Sequence, residues 1–99
     1  MYWDVIEIKI EKPRELTVRF ADGLSGLVVI DHSFCSGVFK ALLDDDVVRQ
    51  ARVDNGVVTW PNGLDLAPDT MYHEIQRNSE RRYILRGEFR EGRELGAVI

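Results

Sequence analysis

Ninety-nine residues, 44% of them apolar and 30% charged, fall within the usual balance of one small globular domain. That balance excludes a disordered tail, a collagen-like fibre and a disulfide-stapled toxin, and the longest apolar run, Leu27-Val28-Val29-Ile30, is far short of the roughly 20 residues of a membrane span. The formal charge of −4 makes phosphate-driven nucleic-acid binding a poor default, and a core this thin, covering only about 60–65% of the unfolded surface, gains from dimerisation.

The first thirty residues read as three strands. Ile6, Ile8 and Ile10 alternate with Glu7, Lys9 and Glu11, then Leu16, Val18 and Phe20 alternate with Thr17, Arg19 and Ala21. Lys12-Pro13-Arg14 turns between them. Asp22-Gly23 then reads as a two-residue hairpin turn. That turn pairs Ala21 with Leu24, Phe20 with Ser25, Val18 with Leu27 and Leu16 with Val29. A three-residue loop at Lys12–Arg14 pairs Ile10 with Leu16, Ile8 with Val18 and Ile6 with Phe20. Opposed residues share a face, so Ile6, Ile8, Ile10, Leu16, Val18, Phe20, Leu27 and Val29 are expected to line one buried face. Leu24, Val28 and Ile30 then fall on the other side. A strand apolar on both sides is usually covered on both, so a helix, the C-terminal tail or a second subunit is expected over them.

From Asp31 the pattern becomes helical. Asp31-His32-Ser33 is a helix-start signal, and Val38, Phe39, Leu42 and Leu43 recur at helical spacing. Asp44-Asp45-Asp46 interrupts before Val47, Val48 and Ala51. The expectation is two short helices, with one aspartate capping the second. Asn55-Gly56 is the strongest hairpin turn in the chain and pairs Val53 with Val58 and Ala51 with Trp60. Pro61-Asn62-Gly63 turns again. Pro68 suits a first helical turn, and Met71, Tyr72 and Ile75 carry a short helix to about residue 76. Beyond it Tyr83, Leu85 and Phe89 alternate with Arg82, Arg86 and Arg90 in a strand pattern broken by Gly87. Gly92 and Gly96 oppose a long helix. The fold class is α+β: a small antiparallel sheet, built as a three-stranded meander plus a second hairpin, with two or three short helices. Residues 1–76 read as the domain and 77–99 as an Arg-rich C-terminal extension.

Each polar group with chemical potential has a structural explanation beside it. His32 and Cys35 could form a nucleophilic dyad, but no neighbour activates the thiol, and a helix-start histidine with a small buried thiol accounts for both. Asp44-Asp45-Asp46 lacks the spacing of a calcium loop and fits a helix cap. Asp65, Asp69, His73 and Glu74 gather around the last helix, with Asp69 and His73 at i, i+4 on one helix face. That is half a metal site with no second pair to complete it, so no metal ligand is assigned. Trp60, Pro61 and Tyr72 suit either a recognition surface or the core. Arg77, Arg81, Arg82, Arg86, Arg90 and Arg93 form a basic stripe diluted by Glu80, Glu88, Glu91 and Glu94. No phosphate-binding, nucleophile-elbow or zinc spacing occurs. A single cysteine excludes an internal disulfide and suggests a reducing compartment. The start, Met1-Tyr2-Trp3-Asp4, lacks the basic and apolar regions of a signal peptide, so the expected location is the cytoplasm.

Several stretches together carry a family likeness: Tyr2-Trp3-Asp4-Val5, Phe20-Ala21-Asp22-Gly23, Gly37-Val38-Phe39, Leu42-Leu43-Asp44, and Val57-Val58-Thr59-Trp60-Pro61-Asn62-Gly63 running into Leu64-Asp65-Leu66-Ala67-Pro68-Asp69 with Met71-Tyr72. Over about residues 2–76 the chain resembles the bacterial domain-of-unknown-function family 2442. The resemblance implies a small α+β fold with an antiparallel sheet and supplies no catalytic residues. It also implies a link to helix-turn-helix proteins or to gene pairs in the style of toxin–antitoxin modules. The short, glycine-broken segment 77–99 does not suit a helix-turn-helix.

The favoured function is therefore a small cytoplasmic interaction or regulatory module without catalytic activity, the antitoxin-like partner of another small protein, or a homodimer. It uses no cofactor, no metal and no membrane. The tentative surface comprises Trp60, Asn62, Asp65, Asp69, Tyr72, His73, Leu24, Val28 and Ile30. The rival readings are a small-ligand or metal-binding enzyme at Asp65, Asp69 and His73, and a nucleic-acid accessory domain using the arginine tail.

Overall fold

A computed structural model describes residues 1–87. Its main sheet has the order β1-β2-β3-β7, formed by β1 (Val5–Lys12), β2 (Glu15–Phe20), β3 (Ser25–Ile30) and β7 (Arg82–Leu85). The first three form the expected antiparallel meander, and β7 lies parallel to β3. A smaller antiparallel sheet contains β4 (Arg52–Asp54), β5 (Val57–Thr59) and β6 (Asp65–Leu66). Between β3 and β4 come 3₁₀ turns at His32–Phe34 and Gly37–Leu43 and the short helix α1 (Asp45–Val48). Helix α2 (Pro68–Arg77) precedes β7. The α+β class and its second hairpin stand as read. Phe89, Arg90 and Arg93 lie outside the described residues.

The local signals produced the elements they predict. Asn55 and Gly56 have φ of 50° and 79°, and Val53 pairs with Val58 across a two-residue turn. The Asp44 carboxylate accepts the Asp46 N–H and caps α1, while Asp31 caps the first 3₁₀ turn through Ser33. Pro68 opens α2, whose Met71, Tyr72 and Ile75 are buried.

The sheet register differs from expectation. Phe20 N–H donates to the Leu24 carbonyl at 2.8 Å, and Gly23 N–H donates to the Phe20 carbonyl at 2.9 Å. The loop therefore holds three residues, Ala21-Asp22-Gly23, with Gly23 at φ 96°. The additional loop residue moves every pair by one, so Leu16 faces Val28 and Val18 faces Gly26. Such a slip exchanges the faces of a whole strand. Val28 and Ile30 join Leu16, Val18 and Phe20 in the core, and Leu27 and Val29 turn outward, half-buried. Ile6 also departs from the expected face. Val5, not Ile6, opposes Phe20, and the ladder shifts between Val5 and Glu7, which leaves Ile6 48% exposed on a bulge. Ile8 and Ile10 keep their expected partners and are half-buried.

The same turn recurs at Trp60-Pro61-Asn62-Gly63-Leu64. Trp60 N–H donates to Leu64 O at 2.9 Å and Gly63 N–H to Trp60 O at 3.0 Å, matching Phe20 through Leu24 bond for bond. Asp22 and Asn62 occupy equivalent positions, and each accepts the backbone N–H of the following leucine. The two loops place Phe20 and Trp60, the largest fully buried side chains, at equivalent strand ends.

One core spans both sheets. Val5, Phe20, Trp60, Met71 and Ile75 belong to a single buried cluster that also contains Leu42, Val48 and Leu85. Val5 N–H donates to the Gly56 carbonyl at 2.9 Å, tying the start of β1 to the second hairpin. Arg14 ties the opposite end. Its guanidinium donates to the carbonyls of Leu42 and Leu43 and to Asp45 at 2.6 Å. No helix among the described residues is long and apolar enough to cross a membrane.

Candidate functional site

Each residue of the expected surface has a definite place. Trp60 is core, and its indole N–H donates to the buried Val48 carbonyl at 3.0 Å. Val28 and Ile30 are core, and Leu24 is half-buried against it. The apolar surplus read on β3 is thus internal, because the slipped register directs Val28 and Ile30 inward and β7 covers the strand's open edge. Asn62, Asp65, Asp69 and His73 are exposed. Among the described residues no three of His, Cys, Asp or Glu converge as a metal group, so Asp65, Asp69 and His73 do not assemble one.

Tyr72 is buried, but its hydroxyl reaches the surface turn and donates to Asp22 at 2.5 Å. Its ring meets Phe20 and Tyr2 edge-on at 5.1 Å, and the His73 ring at 5.5 Å. The Tyr72 hydrogen bond, with help from the Leu24 N–H, holds the Asp22 carboxyl below its ordinary value of 3.8. The same bond raises the Tyr72 phenol above its ordinary 10.0. A depressed carboxyl contributes stability above its unfolded pKa and loses it as pH falls through the folded value. A raised phenol contributes below its unfolded pKa and loses it as pH rises through the folded value. Tyr72→Phe should therefore lower the melting temperature most between pH 3.8 and 10.0, with the deficit narrowing outside that window. Thermal melts of both proteins across pH check this, and a pH-independent deficit would contradict it.

Cys35 and the described arginines Arg77 and Arg81 are engaged structurally. Cys35 is buried, its thiol contacts the Asp31 carbonyl at 3.7 Å, and burial pushes its pKa up, opposite to activation. Arg77 pairs with Glu74. Arg81, at φ 57°, uses its guanidinium to hold the α2 carbonyls of Ile75 and Gln76, and its own carbonyl accepts the Leu27 N–H at 2.9 Å. These bonds make Arg81 the bracket joining α2 to β3.

A cleft of about 220 Å³, open to solvent, lies where β7 meets the start of α2. Phe34 and Phe39, from the two 3₁₀ turns, form one wall with ring centroids 4.5 Å apart. Tyr83 and Leu85 of β7 form another, and Asp65 through Ala67 with Thr70 form the third. Among the described residues Asp65 is the one charged residue in this lining. Burial, and next the negative charge of Glu74, raise the Tyr83 phenol. Sequence reasoning singled out Asp65. It missed Phe34, Phe39, Thr70, Tyr83 and Leu85, and the available signal was only that Tyr83 and Leu85 share one face of a strand-like alternation.

A family model described as protein of unknown function (DUF2442) matches residues 5–77. The chain belongs to this family. The match begins with β1 and ends with α2, so the DUF2442 stretch supplies Phe34, Phe39 and the Asp65–Thr70 wall, while Tyr83 and Leu85 lie beyond it. No curated protein and no solved structure matches the chain.

Proposed function

We propose that this DUF2442 protein is a small interaction or regulatory module that docks another small protein and carries no catalytic group. The observation behind this reading is the cleft, a concave aromatic and apolar surface in a molecule where Asp31, Asp44, Asp22 with Tyr72, and Glu74 with Arg77 are tied into caps, a turn and an ion pair. Aromatic residues in a concave patch are the usual anchors of a protein interface. The antitoxin-like role implied by the sequence resemblance belongs to the same reading. The test is isolation of a complex on the tagged full chain, with its mass and stoichiometry measured. Thr70→Trp, which introduces bulk at the cleft from an exposed position, should abolish the complex, and Lys9→Glu on β1 should leave it intact. A partner held equally well by Thr70→Trp, or no stoichiometric complex at all, would sink the proposal.

A further inference from the structure

We propose that the cleft between Phe34, Phe39, Tyr83 and Asp65 receives the side chain of a partner's lysine or arginine, its methylene stem against the aromatic and apolar walls and its cationic head at Asp65. This rests on the interaction reading above and names the chemistry of the contact.

Size comes first. At about 220 Å³ the cleft has room for one long side chain, and the adjoining cleft that shares Phe34, Tyr83 and Leu85 continues it along β7. Composition comes second. Lysine and arginine combine an apolar stem with a charged tip, and aromatic faces attract cations. Among the described residues the lining offers both halves of that match: three aromatic residues, buried Leu66 and Leu85, and a single carboxylate. Among the described residues Asp65 has no ion pair. An apolar occupant would fill the walls but take Asp65 out of water without a counter-charge. An anion would meet Asp65 directly, with Glu74 beside Tyr83 in the adjoining cleft. Arg86 also lines that adjoining cleft, and its charge acts on Asp31. The whole chain carries −4, which steers a basic partner towards it.

The test needs no partner. The full chain, labelled with ¹⁵N and ¹³C, is titrated with n-butylguanidinium chloride and, separately, with the neutral isostere n-butylurea at constant ionic strength. The cation should shift the resonances of Asp65, Ala67, Thr70 and Tyr83 saturably, and bind at least fivefold more tightly than butylurea. Asp65→Asn should remove that preference, and Asp65→Glu should restore most of it. Equal binding of the two probes, cation binding unchanged in Asp65→Asn, or shifts located elsewhere would each overturn the assignment. Those outcomes leave the interaction module standing, because its own test is the stoichiometric complex. Conversely, cation-selective shifts at the cleft without any complex would retain the site and remove the module.

Discussion

Trp60→Ala should destabilise the protein more than any other single truncation, by about 3–5 kcal/mol. Trp60 is 1% exposed and heads the fully buried side chains by volume. It directly follows β5, in a turn that sends the chain into β6, so its removal opens a void where the smaller sheet meets α1. The change also strips the buried Val48 carbonyl of its donor. An unsatisfied buried acceptor adds a penalty of about 1–3 kcal/mol, which Trp60→Phe isolates while keeping most of the volume. A domain of this size has only about 5–15 kcal/mol in total. Urea denaturation followed by far-ultraviolet circular dichroism should show the Ala variant partly unfolded in buffer and the Phe variant in between. A Phe variant as stable as the parent would mean that the indole hydrogen bond contributes nothing.

Gly26→Val should produce the second large loss, about 2–3 kcal/mol, with Gly26→Ala somewhat less. Gly26 lies in β3 opposite Val18, under α2. A Cβ there would approach both the Arg81 carbonyl and Ile75 Cγ2 at 2.6 Å. The isoleucine can rotate, but the carbonyl is backbone and accepts the Leu27 N–H at 2.9 Å, so it cannot withdraw without breaking the β3–β7 junction. The second-site variant Ile75→Ala, which removes Cγ2, should therefore recover only part of the loss. Chemical denaturation of the single and double variants measures this coupling. A Gly26→Ala protein within about 0.5 kcal/mol of the parent would show that β3 and the segment before β7 do not approach as described.

These expectations separate what could be read from the chain itself from what could not. The alternation in β1 and β2, the Asn55-Gly56 turn, the Asp44 cap and the Pro68 helix start were legible, because each depends on chemistry within a few residues. Of the candidate site, only Asp65 stood out, as a member of a metal-like group that the structure does not assemble among the described residues. Phe34 and Phe39 belong to turns that look like ordinary core, and Tyr83 acquires its role only where β7 lands.

The amino-acid sequence by itself determined the family, the α+β class, the meander and the second hairpin. Tertiary structure decided the register of β3. An aspartate-glycine pair suits a two-residue loop and a three-residue loop with a bulge, since both place glycine at positive φ. The choice between them rests on which side of β3 packs better. With Val28 and Ile30 inward, Gly26 shares their face and leaves room for Ile75 of α2. Tertiary structure also placed β7. A parallel partner has no turn to announce it, and its ladder joins two strands separated by residues 31–81. The cleft depends on that pairing, which brings Tyr83 and Leu85 to the lining shared by Phe34, Phe39 and Asp65.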